Sequence, residues 1–297
     1  MAARLRTLPA AIAPVLVGTA AASYELDRSV HILCLDCGPS IHWGAFVAAM
    51  AGSILIQIGT NLANDYSDAK RGADTAERLG PVRVTSAGLI APRRVLHATW
   101  IAFAAALAVG VYLATVAGPE ILAVGAVSIA AGVLYTGGPR PYGYAGLGEL
   151  FVFVFFGLVA VNGAYYVQLD RIDLLPLLLS IPVGLLSTAI LVVNNVRDLD
   201  TDARAGKRTL AVRLGRERTR ILYAALIAIS FVWLPLALLI ADGPRWGLLA
   251  LASAPLALGP LAAVRKRTDG PALNGALAAT GLLLFAFSAL LALGLIL

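Results

Sequence analysis

Apolar residues run along this chain in long blocks, and the polar residues gather between them. The blocks fall at about 8–24, 42–63, 95–117, 119–136, 148–168, 174–195, 219–240, 245–264 and 273–296. Each approaches the roughly 20 residues that an α-helix needs to cross a bilayer. They are continuously rich in Ala, Leu and Val, without the alternation that marks a transmembrane strand. The pattern predicts an all-α polytopic membrane protein with nine transmembrane helices.

Composition agrees. Of the 297 residues, 59% are hydrophobic and 13% are charged, with a mean hydropathy of +0.83. A soluble domain carries about 25% charged residues, so this chain lacks the polar surface for one. The same figures exclude a disordered chain and a nucleic-acid-binding domain, and two cysteines exclude a disulfide framework. The net charge of +6 is then a matter of topology. With the amino terminus inside, 20 of the 23 Lys and Arg residues fall on cytoplasmic segments, leaving Arg28, Arg171 and Arg245 opposite. By the positive-inside rule the expected placement is the cell membrane, with the amino terminus cytoplasmic and the carboxyl terminus outside.

Outer connections are short turns, whereas two inner ones, 64–94 and 195–218, are long and charged. Loops longer than the fold requires usually carry function, so the active site is expected to face the cytoplasm. The first of these segments opens with Asn61, Asn64, Asp65 and Asp68, then Asp74; the second opens with Asn194, Asn195, Arg197, Asp198, Asp200 and Asp202. If the helices continue, Asn61, Asn64, Asp65 and Asp68 share one face, and Asp198 and Asp202 share another. The repeated Asn/Asp cluster predicts one domain over 1–297 in two four-helix halves, about 8–136 and 148–264, with a ninth helix at 273–296. The halves would face each other across a central cavity open to the cytoplasmic side.

Four converging carboxylates would repel one another unless a cation relieves them. Hard oxygen donors suit Mg²⁺, which takes one or two carboxylates and completes its shell with water and substrate phosphate. A softer metal calls for His or Cys, and the inner face offers only His97. Lys70, Arg71, Arg83, Arg197, Lys207 and Arg208 are natural phosphate contacts. Magnesium-bridged diphosphate is the economical reading.

Asn64-Asp65-x-x-Asp68 and Asp198-x-x-x-Asp202 resemble the two aspartate motifs of the UbiA-type intramembrane prenyltransferase superfamily. Tyr135-Thr-Gly-Gly-Pro, Pro141-Tyr-Gly-Tyr, Gly146-Leu-Gly-Glu149 and Gly206-Lys-Arg-Thr-Leu are similar to the branch that prenylates 1,4-dihydroxy-2-naphthoate on the menaquinone pathway. One departure is Gly72, where the wider superfamily often has a third acid; Asp74 lies nearby. The resemblance implies a polyprenyl diphosphate and dihydroxynaphthoate as substrates, membrane lipid as surroundings, and no obligate protein partner. It implies Asp65, Asp68, Asp198 and Asp202 as metal-diphosphate ligands, supported by Asn61 and Asn64. Arg83 and Lys207 would contact diphosphate, with Lys70 and Arg71 in reserve. Tyr135 would stabilise an allylic cation through its π-face, and Arg140 and Glu149 would meet the aromatic acid. The alternatives are another aromatic acceptor, such as hydroxybenzoate or homogentisate, and an ion-coupled transporter, which would place its charges near the bilayer midplane. On this reading Asp65→Asn or Asp198→Asn abolishes turnover at unchanged heat stability. The outer His31-x-x-Cys34-x-x-Cys37 and His42 lack common zinc-finger spacing and read first as free thiols, then as a strained local disulfide, and last as a zinc site.

Overall fold

A computed structural model describes residues 4–33, 40–72, 79–80 and 83–297. Cys34, Cys37, Asp74 and Arg78 lie outside the described residues. Those described form helices and connecting turns, as a lipid-embedded chain must, because a helix satisfies its backbone N–H and C=O groups internally. The long helices are α1 (Pro9–Leu33), α2 (Trp43–Lys70), α3 (Pro92–Ala117), α4 (Glu120–Leu134), α5 (Gly148–Leu169), α6 (Leu174–Arg204), α7 (Arg216–Ile240), α8 (Arg245–Lys266, wound as a 3-10 helix over Arg245–Ala257) and α9 (Gly270–Ile296). Seven of them, all but α1 and α4, are long and apolar enough to span a bilayer among the described residues. Helix α4 is apolar and has 15 residues.

Helix α6 is the central post. Its most apolar window is 72% buried, against 22% for that of α2. Leu179, Val183, Leu186, Val192, Val193 and Val196 of α6 pack into one core with Val17 of α1, Leu234 of α7 and Leu283, Phe287 and Leu291 of α9. Small residues set the closest approach. A Cβ on Gly157 of α5 would come within 2.7 Å of the Gly184 Cα on α6, the kind of backbone contact that packs helices in lipid. Beside it, Phe153–Val159 winds as a π-helix, a distortion frequent at functional sites.

The two polar clusters sit on helix, not in loop. Hydropathy ends the second and sixth blocks near 63 and 195, but α2 continues to Lys70 and α6 to Arg204. Each helix thus carries its aspartates within about two turns beyond the apolar stretch. Helix α2 closes at Gly72 (φ +65) and α6 at Gly206 (φ +74), left-handed positions that glycine adopts without penalty. The Gly206 turn folds the chain back, so that the Lys207 amide donates to the Asp202 carbonyl at 2.9 Å.

Candidate active site

Between α1, α2, α3, α4, α5 and α6 lies a cavity of about 350 Å³. Its polar end is built by Asn61, Asn64 and Asp68 of α2 and by Asn194, Asn195, Asp198 and Asp202 of α6. Its far end is apolar, lined by Val109, Leu113, Ile121, Val124 and Val167.

Asp68 is the hub, only 1% exposed. Its carboxylate pairs with Arg83 Nη2 at 2.6 Å and Lys207 Nζ at 3.4 Å, and it accepts the Tyr144 hydroxyl. Lys207 Nζ also stands 3.7 Å from Asp202 Oδ1. A lysine beyond the end of α6 thus joins an aspartate of α2 to one of α6, and the two motifs share one compartment. Tyr144 carries Lys207 over its ring at 4.8 Å and Arg71 at 5.8 Å, within cation–π range. Burial and the neighbouring Asp68 carboxylate push the Tyr144 phenol well above the ordinary tyrosine range, so it remains a proton donor to Asp68.

The other aspartates are placed differently. Asp65 accepts the backbone N–H groups of Val84 and Thr85 at 3.2 and 3.3 Å. It anchors the segment that carries Arg83, whose Nη1 donates to the Asn64 carbonyl at 2.7 Å, and it is absent from the cavity wall. Asp198 does line the cavity. Arg197 grips it with two parallel bonds, Nε to Oδ1 at 2.8 Å and Nη2 to Oδ2 at 2.6 Å. Arg197 also donates to Asn194 and Asn274 at 2.7 Å each, and Asn274 Nδ2 reaches the Leu79 carbonyl at 3.1 Å. Asp200 points away from the cavity and is held by Arg216 at 2.7 Å.

Among the asparagines, Asn64 Oδ1 accepts from Thr136 at 2.8 Å, and Asn61 Nδ2 donates to Thr7 Oγ1 at 3.3 Å. Tyr135 lines the cavity and heads a run of rings: edge-on to Tyr142 at 5.4 Å, then Tyr142 on Phe151 at 3.9 Å and Phe151 on Phe155 at 6.0 Å. Of the two residues expected at the aromatic acid, Arg140 is solvent-exposed. Glu149 is buried against Asn195 Nδ2 at 2.8 Å and lies off the cavity wall. Lys70 and Arg71 are exposed and off the cavity wall, with Arg71 bonded to the Gly138 carbonyl. The sequence reading missed Tyr142, Tyr144, Thr136, Thr7 and Arg4, all on the cavity wall.

Among the described residues, no three acidic, imidazole or thiol groups are close enough to cage a metal by themselves. Asp68, Asp198 and Asp202 nevertheless offer hard oxygens on one wall. That donor set fits Mg²⁺ held by one or two carboxylates and by phosphate oxygens of a ligand.

Residues 11–277 match the model of the UbiA prenyltransferase family. The chain belongs to the UbiA prenyltransferase family. As a member it is a prenyltransferase, and its apolar helices make it a multi-pass membrane protein. It is 47% identical over 280 residues to the 1,4-dihydroxy-2-naphthoate octaprenyltransferase of Mycobacterium tuberculosis, covering 94% of this chain and 90% of that protein. To the Escherichia coli enzyme of the same name it is 38% identical over 279 residues, covering 91% and 86%. The fold is shared with solved UbiA homologs at low identity. One from Aeropyrum pernix superposes with a TM-score of 0.65 at 13% identity, covering 94% of this chain and 96% of that one. One from Archaeoglobus fulgidus, bound to DMAPP and Mg²⁺, gives 0.58 at 15% identity, covering 97% and 98%. Of the four aspartates Asp65, Asp68, Asp198 and Asp202, all but Asp65 face the cavity.

Proposed function

We propose that this prenyltransferase moves a polyprenyl group from an allylic polyprenyl diphosphate onto 1,4-dihydroxy-2-naphthoate. Diphosphate and carbon dioxide leave, and demethylmenaquinol is formed for menaquinone biosynthesis. The observation that carries the reading is the joining of Asp68 and Asp202 by Lys207 at the polar end of an apolar cavity. The named activity of the mycobacterial and Escherichia coli relatives supports the choice of acceptor.

In this reading Asp68, Asp198 and Asp202 hold Mg²⁺ together with the diphosphate. Held by these residues, Mg²⁺ would supply positive charge to the diphosphate, the kind of electrostatic stabilisation that favours its departure. Arg83 and Lys207 supply further positive charge from the same wall, and Tyr144 keeps Asp68 oriented. Asp65 acts through its two backbone N–H bonds, fixing the segment that presents Arg83. The prenyl chain follows the apolar wall, and the rings of Tyr135, Tyr142 and Phe151 offer π-faces to the positive charge that develops on the allylic carbon. Exclusion of water by that wall keeps the electrophile for the naphthoate ring. We place the cavity mouth on the cytoplasmic face of the cell membrane, following the distribution of Lys and Arg.

Purified protein offered farnesyl diphosphate, Mg²⁺ and each of three acceptors tests the assignment. Mass spectrometry should find a prenylated naphthoquinol from dihydroxynaphthoate and no product from hydroxybenzoate or homogentisate. Product from either of those, with none from the naphthoate, would reject the choice of acceptor.

A further inference from the structure

The proposed acceptor is a carboxylate, and an unpaired carboxylate is costly to bring into an apolar cavity. Among the described residues six charged side chains line this one: Arg4, Asp68, Arg83, Asp198, Asp202 and Lys207. Arg83 and Lys207 stand at Asp68 and Asp202, where diphosphate is expected. Arg4 enters from another element, the segment ahead of α1.

That segment is firmly built. The Arg4 carbonyl accepts both the Thr7 amide at 2.8 Å and the Thr7 hydroxyl at 2.9 Å. Thr7 Oγ1 in turn receives Gln57 Nε2 at 3.0 Å and Asn61 Nδ2 at 3.3 Å. On its other side the Arg6 carbonyl rests on Gly281 of α9, where a Cβ would come within 3.0 Å. Arg4 itself takes φ +47, a left-handed conformation that costs a non-glycine residue energy and clusters at ligand clamps. The brace meets α2 seven to eleven residues before Asp68, about 10–16 Å along the helix axis. It thus brings a guanidinium to the cavity beside hydroxyl and amide groups, from a different element than Arg83 and Lys207 although near enough for its charge to act on Asp68.

We propose that Arg4 binds the carboxylate of the aromatic acceptor, with Gln57 serving a ring hydroxyl and Thr7 holding the brace. The inference rests on the naphthoate reading above and deepens it. A guanidinium suits the role because its planar fork can bond both carboxylate oxygens.

The test compares two competitors of dihydroxynaphthoate, 1-hydroxy-2-naphthoate and the uncharged 1-naphthol, on the full chain. In the wild type the acid should inhibit at least about tenfold more tightly than the naphthol. Arg4→Gln should raise the acid's Ki and the KM for dihydroxynaphthoate by about tenfold or more, with the naphthol Ki and the farnesyl diphosphate KM within about twofold. Arg4→Lys should recover part of the loss. An unchanged acid Ki in Arg4→Gln, or a loss confined to the diphosphate KM, would overturn the proposal. So would equal Ki values for acid and naphthol in the wild type, a comparison that needs no variant. A wild type that prenylates only other acceptors would instead reject the naphthoate reading itself.

Discussion

Asp68→Asn should lower kcat by about a thousandfold, the upper range for removing one preorganised electrostatic group from an active site. The effect is expected to be this large because Asp68 is where the site converges. Arg83 at 2.6 Å, Lys207 at 3.4 Å and the Tyr144 hydroxyl all meet on its carboxylate. Asparagine keeps the shape and removes the charge. That costs a hard oxygen donor and frees two cations from their common partner. Tyr144→Phe, which deletes only the hydroxyl, should cost far less. Turnover of farnesyl diphosphate in the two variants checks the ordering; Asp68→Asn within about tenfold of wild type would remove Asp68 from the chemistry.

The second large effect is on stability. Asp198→Asn should destabilise the protein by roughly 3–5 kcal/mol, the range for breaking a buried ion pair from one side. Arg197 is 2% exposed, and both of its bonds to Asp198 are lost or weakened when the partner is neutral. A lowered thermal midpoint in detergent would show it. The double variant Arg197→Met with Asp198→Leu should regain the midpoint without regaining turnover, because apolar residues of similar size leave no charge stranded. A single variant as heat-stable as the wild type would contradict the account.

That second result differs from what the sequence leads one to expect. Spacing shows that Asp198 and Asp202 share a helix face, but no pattern shows that Arg197, one residue earlier, folds back onto Asp198. The same holds for Asp65, whose partners are backbone N–H groups of Val84 and Thr85; backbone donors leave no mark in a sequence. What spacing does show is local. The Asn61, Asn64, Asp65 and Asp68 face follows from helical periodicity once α2 is known to reach Lys70.

The helix blocks were legible because bilayer thickness fixes their length and lipid forbids open backbone. Their inner ends were not, because hydropathy falls where the aspartates begin although the helical hydrogen bonds continue. Arg140 was expected at the acceptor from its place beside a short inner loop, yet it lies exposed. Arg4 reaches the cavity because a left-handed residue and the Thr7 brace turn the chain inward, a detail that no periodicity encodes. The aromatic run from Tyr135 to Phe155 is similarly tertiary: the loop carries Tyr142 back between Tyr135 and Phe151.

The central claim is that α2 and α6 together hold Mg²⁺ and diphosphate. Calorimetric titration of farnesyl thiolodiphosphate, with and without Mg²⁺, into wild type, Asp68→Asn and Asp202→Asn tests it most directly. Binding should require Mg²⁺ and weaken by at least about tenfold in each variant. Binding that is indifferent to Mg²⁺, or that survives intact when either aspartate is neutralised, would contradict a clamp shared by the two helices.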